Sequence, residues 1–327
     1  MAWRIGMVLL ILPFFMGFRS GEVPPDSLPV QLDVQSIPLG LGKRLEDKEH
    51  PITEARVALG RRLFFDPILS VDHTVACASC HLPERGFSHG EPKGVGGQLL
   101  RRRAPTLLNR AFGQRFFWDG RAATLEEQAL KPIEDPKEMG SSIAETLRRL
   151  KQHHDYPKQF QAAFGDGVTA DNLAKAIAAF ERVLLRGDSP VDRFLHKHEH
   201  DALTEPQRHG MWVFDSKGMC WKCHIPPLYT DEKLHNTGVS WGKVPLDLGR
   251  FEITKQEADR GRFKTPTLRG VRLTAPYMHD GSFKTLEAVI DFYEKGGHKN
   301  PHQDPAMQPL KLTPEEKLHL VEFLKVL

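Results

Sequence analysis

Cysteine is scarce: there are 4 in 327 residues, all inside two short runs, so no thiol is left over for a structural disulfide. An excess of charge is lacking too. The 45 lysines and arginines against 42 acidic residues leave a net charge of +3, too balanced to argue for nucleic acid or an anionic membrane surface as partner. Long apolar runs are missing apart from one near the start, Ile5 to Phe18, which follows Arg4 and is interrupted only by glycine and proline. It is short for a membrane span and contains the helix breaker Pro13. Residues 1–20 therefore read as an export signal, with an uncleaved N-terminal anchor, and so a membrane contact, as the alternative. No A-x-A-like site marks a cut, and no cysteine follows the run to carry a lipid. Strand signals are sparse as well, which predicts a mostly α fold.

Each cysteine run has the form C-x-x-C-H: Cys77-Ala78-Ser79-Cys80-His81 and Cys220-Trp221-Lys222-Cys223-His224. Two thiols at this spacing can add to the two vinyl groups of a haem while the adjoining histidine reaches the iron. Redox dithiols and zinc sites also use C-x-x-C, but neither explains a histidine after both pairs. The runs start 143 residues apart, at 77 and 220, in a chain of two-domain length. The reading is two covalently bound c-type haems, one per domain. Such attachment takes place outside the bacterial inner membrane, so motifs and export signal agree on a periplasmic protein.

Residues 21–50, with Pro24-Pro25, Pro29 and Pro38, read as an extended lead-in. Val57, Leu59, Leu63 and Phe64 predict a helix over residues 53–65, stopped by Asp66-Pro67. Five glycines between residues 84 and 100 predict a flexible loop that leaves room for a cofactor, and a helix-rich stretch follows over residues 141–185. The turn-like Gly187-Asp188-Ser189-Pro190 is the expected boundary between domains at 51–187 and 188–327. Thr204-Glu205-Pro206-Gln207 and Thr313-Pro314-Glu315-Glu316 carry capping patterns for two further helices.

The two halves repeat one another. Pro105-Thr106-Leu107 matches Pro266-Thr267-Leu268, Asp119-Gly120 matches Asp280-Gly281, and Thr124-Leu125-Glu126 matches Thr285-Leu286-Glu287, all at an offset of 161. The implied architecture is two cytochrome c-like haem domains related by internal duplication. Where the halves differ, Tyr293 falls opposite Pro132 and His279 opposite Trp118. Tyrosine can bind iron and proline cannot, so a closed second iron would face an open first iron able to take a small oxidant. The plainer alternatives are a core tyrosine packed with Val289, Ile290 and Phe292, and a core tryptophan.

Several longer runs accompany the repeat. They are Leu63-Phe64-Phe65-Asp66-Pro67, Gly86-Phe87, Ala104-Pro105-Thr106-Leu107, Phe117-Trp118-Asp119-Gly120-Arg121, Thr124 to Gln128, and Pro276-Tyr277-Met278-His279-Asp280-Gly281. Over residues 53–327 the chain resembles the bacterial di-haem cytochrome c peroxidases, and within them the MauG-like branch. The resemblance implies a peroxidatic first haem with proximal ligand His81 and an electron-transfer second haem with proximal ligand His224. It also implies Trp118 between them, and Gln128 and Glu138 on the distal side of the first. A carboxyl such as Glu138 can relay a proton between the oxygens of hydrogen peroxide, with Gln128 orienting it. Composition alone would leave Glu138 a solvated charge.

Three departures from the family pattern shape the expected function. Tyr293 stands where classical peroxidases have an axial methionine, with Met307 and His298 as neighbouring alternatives. A phenolate donor favours higher oxidation states of iron, as MauG-like chemistry requires. His89 is the only histidine in the loop after the first motif, too close to it to act as the family's reductive switch, so the first iron is expected open. Arg103 stands where the calcium site between the haems has an asparagine, which leaves calcium to the carbonyls of Thr274 and Pro276 with water, or part of the site to the guanidinium. The implied enzyme takes hydrogen peroxide at the first haem, shares oxidising equivalents with the second, and draws electrons from a protein substrate. In a classical peroxidase a small cytochrome or copper protein supplies them. A non-catalytic di-haem electron carrier would need both irons six-coordinate, which Pro132 opposes.

Overall fold

The computed structural model describes residues 36–42 and 51–327; residues 1–20 and most of the lead-in lie outside the described residues. Helix α1 (Glu54–Phe65) opens where the Thr53 hydroxyl accepts from the Arg56 amide and stops at Asp66-Pro67, where proline cannot continue the ladder. A single turn, α2 (Cys77–Cys80), precedes α3 (Leu125–Glu134), α4 (Ile143–Gln152), α5 (Tyr156–Phe164) and α6 (Ala170–Arg182). The second half contains α7 (Pro190–His196), α8 (Glu205–Asp215), the short α9 (Phe251–Thr254), α10 (Leu286–Glu294) and α11 (Pro314–Leu324). Capping boxes form at Thr204 with Gln207 and at Thr313 with Glu316, as the spacing predicts. Among the described residues the one sheet pairs β1 (Leu234–His235) with β2 (Phe263–Lys264), antiparallel, with Leu234 opposite Lys264. The fold is mostly α.

Each half buries its own apolar cluster. In the first, Leu59 and Leu63 of α1 pack with Leu173, Ala176 and Ile177 of α6 and with Tyr156 and Phe160 of α5. In the second, Val213 and Phe214 of α8 meet Leu320, Phe323 and Leu324 of α11, with Ile290 of α10 alongside. One device sets both helix crossings. A Cβ at Gly60 would stand 1.8 Å from the Ala176 carbonyl, and one at Gly210 1.9 Å from that of His319, so only glycine lets these backbones touch.

Backbone geometry recurs at the offset of 161. Positive φ occurs at Phe117 (64°) and Met278 (69°), and at Asn109 (61°) and Gly270 (68°). Isolated bridges join Phe116 to Ala122 and Tyr277 to Phe283. Threonine caps α3 and α10 alike, at Thr124 and Thr285.

Two polar networks tie distant segments together, the lead-in to the second half and then half to half. Asp188 donates its N–H to the Leu39 carbonyl at 2.9 Å, while Arg269 reaches the Gly40 carbonyl at 2.8 Å. Arg269 also grips Asp192 with two bonds of 2.7 and 2.8 Å, and both side chains are buried. Elsewhere Arg102 bonds Asp119 of the first half at 2.6 Å and Asp247 of the second at 2.8 Å.

Candidate active site

The α2 turn sets Cys77 and Cys80 on one face, and its last amide bond, from His81 N–H to the Cys77 carbonyl at 2.9 Å, places His81 beside them. His81 Nδ1 lies 3.0 Å from the Phe87 carbonyl, and His224 Nδ1 lies 2.9 Å from the Tyr229 carbonyl. A carbonyl can only accept, so each Nδ1 carries the proton and each Nε2 keeps its lone pair free for a metal. Burial pushes the Cys80 thiol up to about 11 and the Cys220 thiol up to about 12, and Cys77 higher still with Glu181 adding to the effect. A second-half group, Cys223, Asp231 and His235, also lies within metal-binding distance. Its histidine is committed, because Nδ1 donates to Asp304 at 2.6 Å and Nε2 to Asp231 at 2.9 Å. The Cys223 sulfur, Asp304 and Asp231 together raise the His235 pKa to about 10.

A cavity of about 760 Å³ opens beside the first motif, lined by Cys80, His81, Trp118, Gln128, Pro132 and Glu138 among others. The tertiary structure thus brings the residues expected at the first site to one space. Gln128 and Pro132, four residues apart on α3, share the face turned to it. Burial raises the Glu138 carboxyl to about 7, with Asp135 adding to the shift and Arg121 opposing it. His89 is not among the lining residues; its Nδ1 accepts from the Glu91 N–H at 3.0 Å.

The loop after the first motif lines the cavity with Pro92, Gln98 and Leu99. Its glycines serve close contact as much as freedom, since a Cβ at Gly94 would stand 1.8 Å from the Lys137 carbonyl. The Val95 N–H donates to the Glu138 carbonyl at 2.8 Å, so this loop props the wall that carries Glu138.

At the second site Cys220 begins a single 3₁₀ turn that ends at Lys222, and Tyr293 lies in the last turn of α10. Burial pushes the Tyr293 phenol well above its ordinary range, and the Cys223 and Cys220 sulfurs are its charged-form neighbours. His298 is exposed and sets its ring edge-on against Phe292, 5.2 Å away, while the Met307 methyl lies beside Gly297.

Trp118 is buried and lines the first cavity. Its ring meets His279 edge-on at 6.4 Å, so two residues paired by the repeat are in contact across the seam. His279 stacks on Phe263 at 3.7 Å and bonds Ser240 at 2.8 Å; burial takes its pKa down to about 4, leaving it neutral.

The calcium expectation does not fit this donor set. Arg103 donates to the Thr274 carbonyl, the oxygen a calcium ion would need, and brings a positive charge to the same spot. Two further residues escaped the sequence reading. Asp247 lies in a loop with no motif, and Glu181 is buried on α6 with one carboxylate oxygen unpartnered. Only an acid breaking the apolar face of that helix signalled Glu181.

Two cysteine-pair histidines with free Nε2 atoms, one facing a large cavity, define a helical haem protein with two sites. The di-haem cytochrome c peroxidase family model matches residues 54–200. The methylamine utilization protein MauG of Methylorubrum extorquens is 41% identical over 284 residues, covering 86% of this chain and 80% of that protein. Cytochrome-c peroxidase IdrP1 of a Pseudomonas species (strain SCT) is 30% identical over 352 residues, covering 98% and 91%. Among solved structures, a MauG-like protein associated with microbial copper homeostasis superposes with a TM-score of 0.81 at 33% identity, covering 89% of this chain and 94% of that one. The chain belongs to the di-haem cytochrome c peroxidase family. It is an oxidoreductase of the peroxidase type, and membership implies two haems, hydrogen peroxide, and an electron donor or protein substrate. Among the described residues no helix is long and apolar enough to cross a membrane.

Proposed function

We propose that this is an exported, periplasmic MauG-like enzyme that reacts hydrogen peroxide at the first site and oxidises a protein substrate or small redox donor through the second. The observation that carries the reading is the contrast at one repeat position: Pro132 lines the first cavity, whereas Tyr293 lies by Cys220 and Cys223. Two c-type haems, held by Cys77 and Cys80 and by Cys220 and Cys223, supply the peroxide and electron chemistry when bound. His81 and His224 would hold the two irons, and the Tyr293 phenol would be a further oxygen donor at the second. Glu138 accepts a proton from peroxide and returns it to the departing oxygen, Gln128 orients it, and Trp118 with His279 bridges the sites. The chain divides near Gly187 into units 51–187 and 188–327. The shared φ values, bridges and caps at an offset of 161 support their origin by duplication of one cytochrome c-like unit.

The test is an optical and EPR spectrum of the as-isolated diferric protein, with and without one equivalent of hydrogen peroxide, in wild type and Tyr293→Phe. One high-spin and one low-spin haem, both responding to peroxide in wild type but not together in the variant, is the expected result. Two low-spin haems that react only after one-electron reduction would return the chain to the classical peroxidases fed by a small cytochrome or copper protein. Inert low-spin haems would leave an electron carrier.

A further inference from the structure

Arg103 is 6% exposed, yet among the described residues no carboxylate pairs with it. Its Nη2 donates to the Ser88 hydroxyl and to the Thr274 carbonyl, and its Nε has no partner. Its backbone is engaged on both sides. The N–H donates to the His279 carbonyl at 2.9 Å, and the carbonyl accepts the Trp118 indole N–H, also at 2.9 Å. One residue therefore touches the loop after the first motif, the Thr274 turn of the second half, and both members of the Trp118–His279 pair.

A buried charge without a counter-charge is costly unless dipoles converge on it. Here neutral oxygens converge, a hydroxyl and a carbonyl, the donor type that gathers round calcium. A calcium ion at the Thr274 carbonyl would have to share that oxygen with the guanidinium N–H and meet its positive charge. The guanidinium and the metal are alternatives, and this chain has the guanidinium.

We propose that Arg103 is a tethered replacement for a bridging cation: it clasps the Thr274 carbonyl, positions Trp118 and His279 between the two haem sites, and makes the seam independent of calcium. The inference rests on the di-haem reading. Its test uses the holoprotein, with haem counted and calcium measured by elemental analysis on the same sample. The midpoint potentials of both haems are then followed in wild type, Arg103→Lys, Arg103→Met and Arg103→Asn. Wild type is expected to hold two haems without stoichiometric calcium, and EGTA should change neither spectra nor potentials. Arg103→Met should lower both potentials, because losing a fixed positive charge favours ferric iron, and Arg103→Lys should hold them near wild type. Arg103→Asn, which supplies an acceptor oxygen, should bind added calcium and recover with it. One EGTA-removable calcium per wild-type chain, or potentials indifferent to Arg103→Met, would overturn the proposal. The calcium count decides even if a variant fails to fold. Two haems with calcium would sink this inference alone; fewer than two haems would sink the di-haem reading beneath it as well.

Discussion

Glu138 is a carboxyl that burial holds near neutrality, at about 7, on the wall of the first cavity. A base must be ionised to take the peroxide proton, so the peroxide rate should climb as pH rises through that value. Stopped-flow mixing should show Glu138→Gln slower by roughly 10²–10⁴-fold and flat with pH; an unchanged rising profile would remove Glu138 from the proton path. Glu181 carries no such task but has a larger shift, up to about 8, caused by burial, with Arg182 and Arg110 opposing it. Its ordinary value of 4.5 applies in the unfolded chain. Between the two values the folded chain holds a proton that the unfolded chain releases, so stability falls as pH rises across that window. Glu181→Gln should cancel this loss, gaining about 1–3 kcal/mol over wild type near pH 8 relative to pH 5 in denaturant melts. Parallel profiles would mean that the Glu181 carboxyl finds a partner in solution.

At the scale of elements, the site depends on a loop pressed against the segment after α3. Gly94 makes that contact, with its missing Cβ 1.8 Å from the Lys137 carbonyl, whereas Gly96, two residues on, has nothing within 4 Å. Gly94→Ala must lift the loop and displace Glu138, and a misplacement on the order of 1 Å costs roughly 10²-fold in rate. Gly96→Ala, where φ is 70°, should cost about 1 kcal/mol of stability and leave the peroxide rate alone. Equal rates in the two variants would show that the Gly94 contact does not support the site. Local rules read these elements well in part. Thr204 and Thr313 announced their helices, because a cap is a contact between residues three apart. The loop glycines were legible only in part, since Gly94, kept for close approach, has the same letter as Gly96, kept for freedom.

For the whole molecule, one tie between distant segments is the buried Arg269 side chain. It joins Asp192 to the Gly40 and Pro227 carbonyls, the last at 2.6 Å. Burial would raise the Asp192 carboxyl, but Arg269 outweighs it and holds it below the usual range. Arg269→Met strands that carboxylate in the interior, a loss of about 3–5 kcal/mol, read as a lower melting temperature of the holoprotein. A cost below about 1 kcal/mol would place the pair in solvent's reach.

What the sequence determined by itself was chemical type and order: two C-x-x-C-H runs, a repeat at one offset, and a proline facing a tyrosine across it. These are local or periodic signals, carried by residue identity and spacing. Which groups share a space was decided only by the tertiary structure. Arg103 and Thr274 are 171 positions apart and Arg102 and Asp247 are 145 apart, and no periodicity links them. The Trp118–His279 contact lay between, legible as a correspondence in the repeat but not as two rings 6.4 Å apart. Burial too came from the fold, because the charge state of Glu138 depends on the water that its neighbours exclude, and those neighbours are brought together by packing rather than by sequence.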